Sequence, residues 1–280
     1  MQRLAALVSA TFVVTAASCQ TAKFSAMGDM PYCYSAEGSP KVCAPLDLPY
    51  RRTQAMLKAM EQARVPFGVH VGDVMAAAPE GCREQAFVAA SHLLRPGKVP
   101  LYFIPGDNET TDCPSPTEAL QSFRRYFLDD SNALAQAAWP ENHVWEHAGV
   151  VLVRANTTDP PYSGSEEAAV TLLKKAVAMA GDRQAPLVLF THAKVSKSSY
   201  SRLNEVLLEG ARRLHRPVLL VHGNTHTFTI QKNYQGVPNL TRHEVAGAPA
   251  VGWSSVTYSD KAREFEIVYH DAPQPTGEED

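Results

Sequence analysis

The sequence predicts an α/β protein in which two β-sheets pack face to face with helices outside. Apolar runs of strand length alternate with stretches whose apolar residues recur at helical spacing. The last quarter of the chain turns to strand-like runs alone. Acids and histidines fall at the ends of those runs, where α/β folds gather their ligands.

Taken in order, "AKFSAMGD" reads as a buried strand, "SAEGSPKVCAPLDLP" as a loop, and "YRRTQAMLKAMEQAR" as a helix with Met56, Leu57, Met60 and Ala63 near one face. "VPFGVHVGD" is a second strand, "EGCREQAFVAASHLLR" a helix and "VPLYFIPGD" a third strand. Ser115 and Pro116 open a helix over "SPTEALQSFRRYFL". Two strands that turn near His147 to Gly149 fit "HVWEHAGVVLVRAN". An amphipathic helix begins at Ser163 or Ser165, followed by strand "APLVLFTH", helix "SRLNEVLLEGARRLH" and strand "RPVLLVHGNTH". Four more strands, "FTIQKNY", "LTRHEVAG", "GWSSVTYSD" and "REFEIVYHD", complete the pattern. No repeat or low-complexity linker divides it, so one domain over residues 23–271 is expected, with a disordered polar tail over 272–280.

With 280 residues, 45% of them hydrophobic, and a net charge of −3, the chain can bury a large core and lacks the basic surface of a nucleic-acid binder. Residues 1–22 read as an export leader: one arginine, an apolar run from Leu4 to Val14, then small residues. That run is too short to span a membrane, and no longer one follows. A periplasmic or extracellular destination is favoured over lipid anchoring through Cys19, because the first core strand follows with almost no tether. Four further cysteines, Cys33, Cys43, Cys82 and Cys113, suggest two disulfides with three connectivities open. Cys33 with Cys43 would close a short loop, and Cys82 with Cys113 would join two neighbouring ones.

Five strand ends carry groups able to bind a metal: Asp29 in "AMGDMPY", Asp73 in "HVGDVM", Asp107 and Asn108 in "PGDNE", His192 in "FTHAK", and Asn224 with His226 in "HGNTH". A single Gly-Asp at a strand end is ordinarily a turn or a helix cap. Five in succession point to carboxylates, amides and imidazoles converging on a divalent cation. In this respect the chain resembles the calcineurin-like metallophosphoesterases from about Lys23 to Phe228. The resemblance implies a four-layer α-β-β-α sandwich, one or two divalent metals, and attack of metal-activated water on a small phosphorylated substrate, a phosphomonoester or phosphodiester. It implies Asp73 as the bridging carboxylate, Asp29 and His226 serving one metal, and His192 serving the other. "GDNETTDC" further resembles an exported subset of that family, which supports a Cys82–Cys113 link.

Three histidines of the family pattern are replaced. Pro31 stands where the first is expected, Asn108 at the family's proton donor, and Asn224 at the first His of Gly-His-x-His. Asp107 takes the place of an asparagine ligand, and Glu109 follows as a supporting acid. An oxygen-rich set leans toward Mn²⁺, Mg²⁺ or Ca²⁺ over zinc or iron. An amide at residue 108 cannot release a proton, and losing such a donor costs about 10²–10⁴-fold in rate. The alternative is therefore an impaired or inactive binding protein on the same fold. Tyr32 and His143 are candidates to line the cleft, His70 reads as structural, and His222 reads as a core residue or a support to the site in preference to a stand-in for the missing ligand. No Asp-x-Asp, Gly-x-Ser-x-Gly, Walker or Gly-x-Gly-x-x-Gly pattern supports another class.

Overall fold

The computed structural model describes residues 21–77, 82–128 and 138–275. Most of the leader, with Cys19, and the last five residues lie outside the described residues. One sheet has strand order β13-β12-β1-β4-β5, built from β13 (Glu264–Asp271), β12 (Gly252–Ser259), β1 (Thr21–Met27), β4 (Gly68–His70) and β5 (Leu101–Phe103). The other runs β10-β11-β9-β8-β7-β6, from β10 (Thr229–Gln231), β11 (Leu240–Glu244), β9 (Val218–His222), β8 (Leu187–Phe190), β7 (Val150–Arg154) and β6 (His143–His147). Both sheets are mixed. In the first, β1, β4 and β5 run parallel, and in the second β7, β8, β9 and β11 do.

Period-two alternation places each residue of the second sheet. Val151, Val153, Leu187, Leu189, Val218 and Leu220 pack outward among the residues of α4 (Ser165–Arg183) and α5 (Ser201–Arg213). Their neighbours Val150, Leu152, Val188, Phe190, Leu219 and Val221 face the first sheet, meeting Phe24, Phe67, Val69 and Val256. Strands buried on both faces read as continuous apolar runs, which is how these appear in the sequence. Phe24 stacks on Phe67 and meets Phe190 edge-on at 5.6 Å, so aromatic contacts join the sheets. Outside the first sheet lie α1 (Leu48–Gln62), against Met27 and Trp253, and α2 (Glu84–Leu94) with α3 (Pro116–Phe127), against Phe103. The expected four layers are present.

Several boundaries move. Thr21 and Ala22, expected in the leader, belong to β1, pair with Ser259 and Tyr258, and Ala22 is fully buried. Ala272, expected in the tail, is buried and donates its N–H to the Val251 carbonyl. The expected loop after Asp29 carries a small hairpin, β2 (Cys33–Tyr34) with β3 (Pro40–Lys41). β4 is shorter than its apolar run because Gly72 (φ 103°) and Asp73 (φ 56°) turn the chain out of the sheet. β10 stops early, where Asn233 and Gln235 adopt left-handed backbone. The β6–β7 turn falls at Ala148 and Gly149, both with positive φ, as two-residue hairpins require. Both disulfides, Cys33–Cys43 and Cys82–Cys113, are formed.

Candidate metal centre

The parallel strands β1, β4, β5, β8 and β9 end on one edge of the double sheet, and each delivers a predicted residue there. Asp29, Asp73 and His192 are buried, and one ligand atom from each lies within 4.8 Å of the others. Asp107 joins them through His192, whose Nε2 lies 2.7 Å from Asp107 Oδ1 and 3.5 Å from Asp73 Oδ1. Asn224 donates its side-chain N–H to Asp107 Oδ1 at 3.0 Å and its backbone N–H to Asp29 Oδ1 at 2.9 Å. His226 Nε2 is 3.6 Å from Asp29 Oδ1. Asn108 donates its backbone N–H to Asp73 Oδ1 at 3.1 Å, and Glu109 Oε1 accepts the N–H groups of Asp73 and Gly106. All seven candidate ligands and Glu109 therefore share one site.

Close packing explains the glycines between them. A Cβ on Gly106 would lie 2.0 Å from Asp73 Oδ1, and one on Gly223 2.3 Å from Asp29 Oδ2. The backbone must approach the carboxylates this closely for residues of different strands to meet.

The electrostatics are unfavourable in the protein alone. Burial lifts Asp73 to about 7, with Asp107 and Asp29 adding to the rise and His192 opposing it. Burial likewise raises Asp29, and burial with the Asp73 charge pushes Glu109 well above the usual carboxylate range. Burial would raise Asp107 too, but the bond and charge of His192 bring it below its ordinary value. For His192, burial disfavours charge; Asp73, Asp107 and Asp29 outweigh it and hold the imidazole well above its usual value. Its Nδ1 donates to the Val71 carbonyl at 2.8 Å, which aims Nε2 at the acids. His226 is fixed in the same way, by Nδ1 on the Ala248 carbonyl at 2.8 Å. Asp29 Oδ2 is buried and has no hydrogen-bond partner. Four buried or half-buried carboxylates, two imidazoles turned toward them and an orphaned carboxylate oxygen fit an oxygen-rich divalent cation site.

Sequence reasoning understated Tyr32, placed only as a cleft residue. Its hydroxyl donates to Asp73 Oδ2 at 2.7 Å and accepts from Asn108 Nδ2 at 2.6 Å. It missed Thr157, whose hydroxyl accepts the His192 N–H, and the Ala248 carbonyl. His143 packs on Trp145 in β6. His70 bonds the Met30 carbonyl and His222 accepts from Arg242, structural roles as read.

No protein-family model matches the chain, and no curated protein matches it. Solved structures do. A dimetal phosphatase from Danio rerio superposes with TM-score 0.58 at 11% identity, over 90% of this chain and 99% of that one. A purple acid phosphatase from yellow lupin (Lupinus luteus) seeds gives 0.61 at 13%, over 92% and 53%. A 5'-nucleotidase from Candida albicans gives 0.55 at 11%, over 90% and 51%. The chain spans nearly all of the first and about half of the other two. At such identities the likeness lies in the architecture: two mixed sheets face to face with helices on both outer sides. In its fold, the chain is therefore similar to these phosphatases and to the nucleotidase.

Proposed function

We propose that the protein is an exported, metal-dependent phosphoesterase that hydrolyses a small phosphomonoester or phosphodiester. The observation that carries this reading is the convergence of Asp29, Asp73 and His192 from three strands onto one buried point. Asp29, Asp73, Asp107, Asn108, His192, Asn224 and His226 would hold one or two divalent cations, with Mn²⁺, Mg²⁺ or Ca²⁺ favoured by the oxygen-rich donors. Bound there, such cations supply Lewis acidity at phosphorus and activate water.

The chain's own residues set the limits of the reaction. His192 keeps its Nδ1 proton on Val71, so Nε2 is the atom it offers the site. Glu109 ties the Asp73 and Gly106 backbone together and is a supporting acid rather than an open base. Asn108 spends its amide N–H groups on Tyr32 and on the Met75 carbonyl at 3.0 Å, and has no proton to release to a leaving group. Esters of acidic alcohols, which leave without protonation, are therefore the preferred substrates. Two disulfides support a periplasmic or extracellular location, and among the described residues no helix is long and apolar enough to cross a membrane.

A second reading, a binding protein on the same fold, draws on Pro31, Asn108 and Asn224 in place of histidines. Chelator-stripped protein reloaded with Mn²⁺ and given aryl phosphates separates the two. Turnover that Asp73→Asn abolishes supports the enzyme, whereas tight metal retention without turnover supports the binder.

A further inference from the structure

We infer that Tyr32 is a positioning residue that fixes the Asp73 carboxylate in the orientation a shared metal ligand needs. The inference rests on the metal-dependent reading above and goes beyond it, assigning a role to a side chain outside the ligand set. Tyr32 is only 8% exposed, in the segment between β1 and β2. The same segment carries Asp29, and the Cys33–Cys43 disulfide closes on the residue after Tyr32. Its hydroxyl sits between two strand ends, donating to Asp73 Oδ2 and accepting from Asn108 Nδ2. Its ring meets the imidazole of His226 edge-on at 5.3 Å. One side chain thus touches three candidate ligands delivered by β4, β5 and β9.

The hydrogen-bond inventory gives this position its consequence. A hydroxyl has one proton, and Tyr32 commits it to Asp73. Asp73 Oδ2 is held by Tyr32 and Oδ1 by the Asn108 backbone N–H, so each carboxylate oxygen accepts one hydrogen bond and keeps a second lone pair, with His192 Nε2 3.5 Å from Oδ1. Gly106 closes on Oδ1 so tightly that a Cβ there would overlap it. The carboxylate is therefore held from both ends, and its remaining lone pairs could serve a cation. Residues that orient ligands in this way typically contribute about 10–100-fold to metal affinity.

The test is Mn²⁺ binding by calorimetry to the chelator-stripped full chain, in wild type, in Tyr32→Phe, and in protein carrying p-aminophenylalanine at position 32. Tyr32→Phe keeps the ring on His226 and removes only the hydroxyl, so far-ultraviolet circular dichroism should match wild type. Its affinity should fall about 10–100-fold, and the amino variant, which restores a donor at the same place, should recover most of that loss. Should Tyr32→Phe fail to fold, the amino variant is read against wild type, and near-native affinity supports the role. Unchanged affinity in Tyr32→Phe, or a loss that the restored donor does not repair, overturns the inference and leaves the metal reading standing. A tyrosinate absorbance band that appears on metal addition in wild type and is missing in Tyr32→Phe also overturns it, by making Tyr32 a ligand. Wild type that takes up no Mn²⁺ defeats the metal reading itself.

Discussion

Asp73→Asn should stabilise the metal-free protein while abolishing its stabilisation by Mn²⁺. Burial, joined by Asp107 and Asp29 against the pull of His192, lifts Asp73 from 3.8 to about 7. Between those values the folded state holds a proton that the unfolded chain has released. Stability therefore falls as pH rises through that window, and the loss is complete above about pH 7. At about 1.4 kcal/mol per pKa unit, the penalty reaches about 4 kcal/mol. Asparagine removes the charge but disturbs the Tyr32 bond to Oδ2, which returns about 1–3 kcal/mol. The net gain is about 1–3 kcal/mol, or roughly 2–10 °C in Tm for a chain of this size. Thermal and urea unfolding in chelator, at about pH 8 and about pH 4, measures it. The gain should appear at the higher pH and largely vanish at the lower, where the folded state stays protonated and the unfolded carboxyl is only about half ionised. Mn²⁺ at a hundredfold excess over its Kd should add about 2.7 kcal/mol to wild type and nothing to the variant. A variant less stable than wild type at high pH in chelator would refute the reasoning, because the protein would then compensate Asp73 without a cation.

Above about pH 7, where Asp73 has already lost its own proton, metal binding should release a proton from His192, which the neighbouring carboxylates keep charged well above its ordinary value. The sign follows: affinity for Mn²⁺ rises with pH by about tenfold per unit while one proton is displaced. Calorimetry in two buffers of different ionisation enthalpy counts that proton, and a pH-independent affinity contradicts it. Replacing Cys82 and Cys113 together by serine should cost about 3–4 kcal/mol for a loop closing 31 residues apart. It should also weaken metal binding, because Cys113 ends the turn that carries Asp107. Urea titration against wild type reads the first effect and calorimetry the second. Asn108→His should restore a proton donor and raise turnover by about 10²-fold for alkyl phosphates, with a much smaller gain for aryl phosphates. Equal gains on both would show that leaving-group protonation is not what residue 108 limits.

The parts of the molecule legible in the sequence were those where one local signal sufficed. Val150 to Val153, Leu187 to Phe190 and Val218 to Val221 are apolar on both faces, so each run announced a central strand. The gathering of these side chains was legible in outline because polar residues in this architecture meet at strand ends, and Asp29, Asp73, Asp107, His192 and His226 each follow one. The β2–β3 hairpin was not legible, since two-residue strands leave no periodicity to read. Nor was the end of β4, where an apolar run continues through Val71 although Gly72 and Asp73 turn away. Tyr32 was understated because its partners Asp73 and Asn108 lie 41 and 76 residues away. The carbonyls of Val71 and Ala248 that orient His192 and His226 are backbone groups, which no residue type betrays. Ala22 looked like a leader residue because small residues serve both a cleavage site and the crowded centre of a sheet sandwich.

Anomalous diffraction from crystals soaked in Mn²⁺ tests the central claim most directly. A peak within bonding distance of Asp29, Asp73 and His192, with Asp107 and His226 at its edge, is the expected result. Manganese found only elsewhere on the surface, with those side chains bonded only to one another, would contradict it.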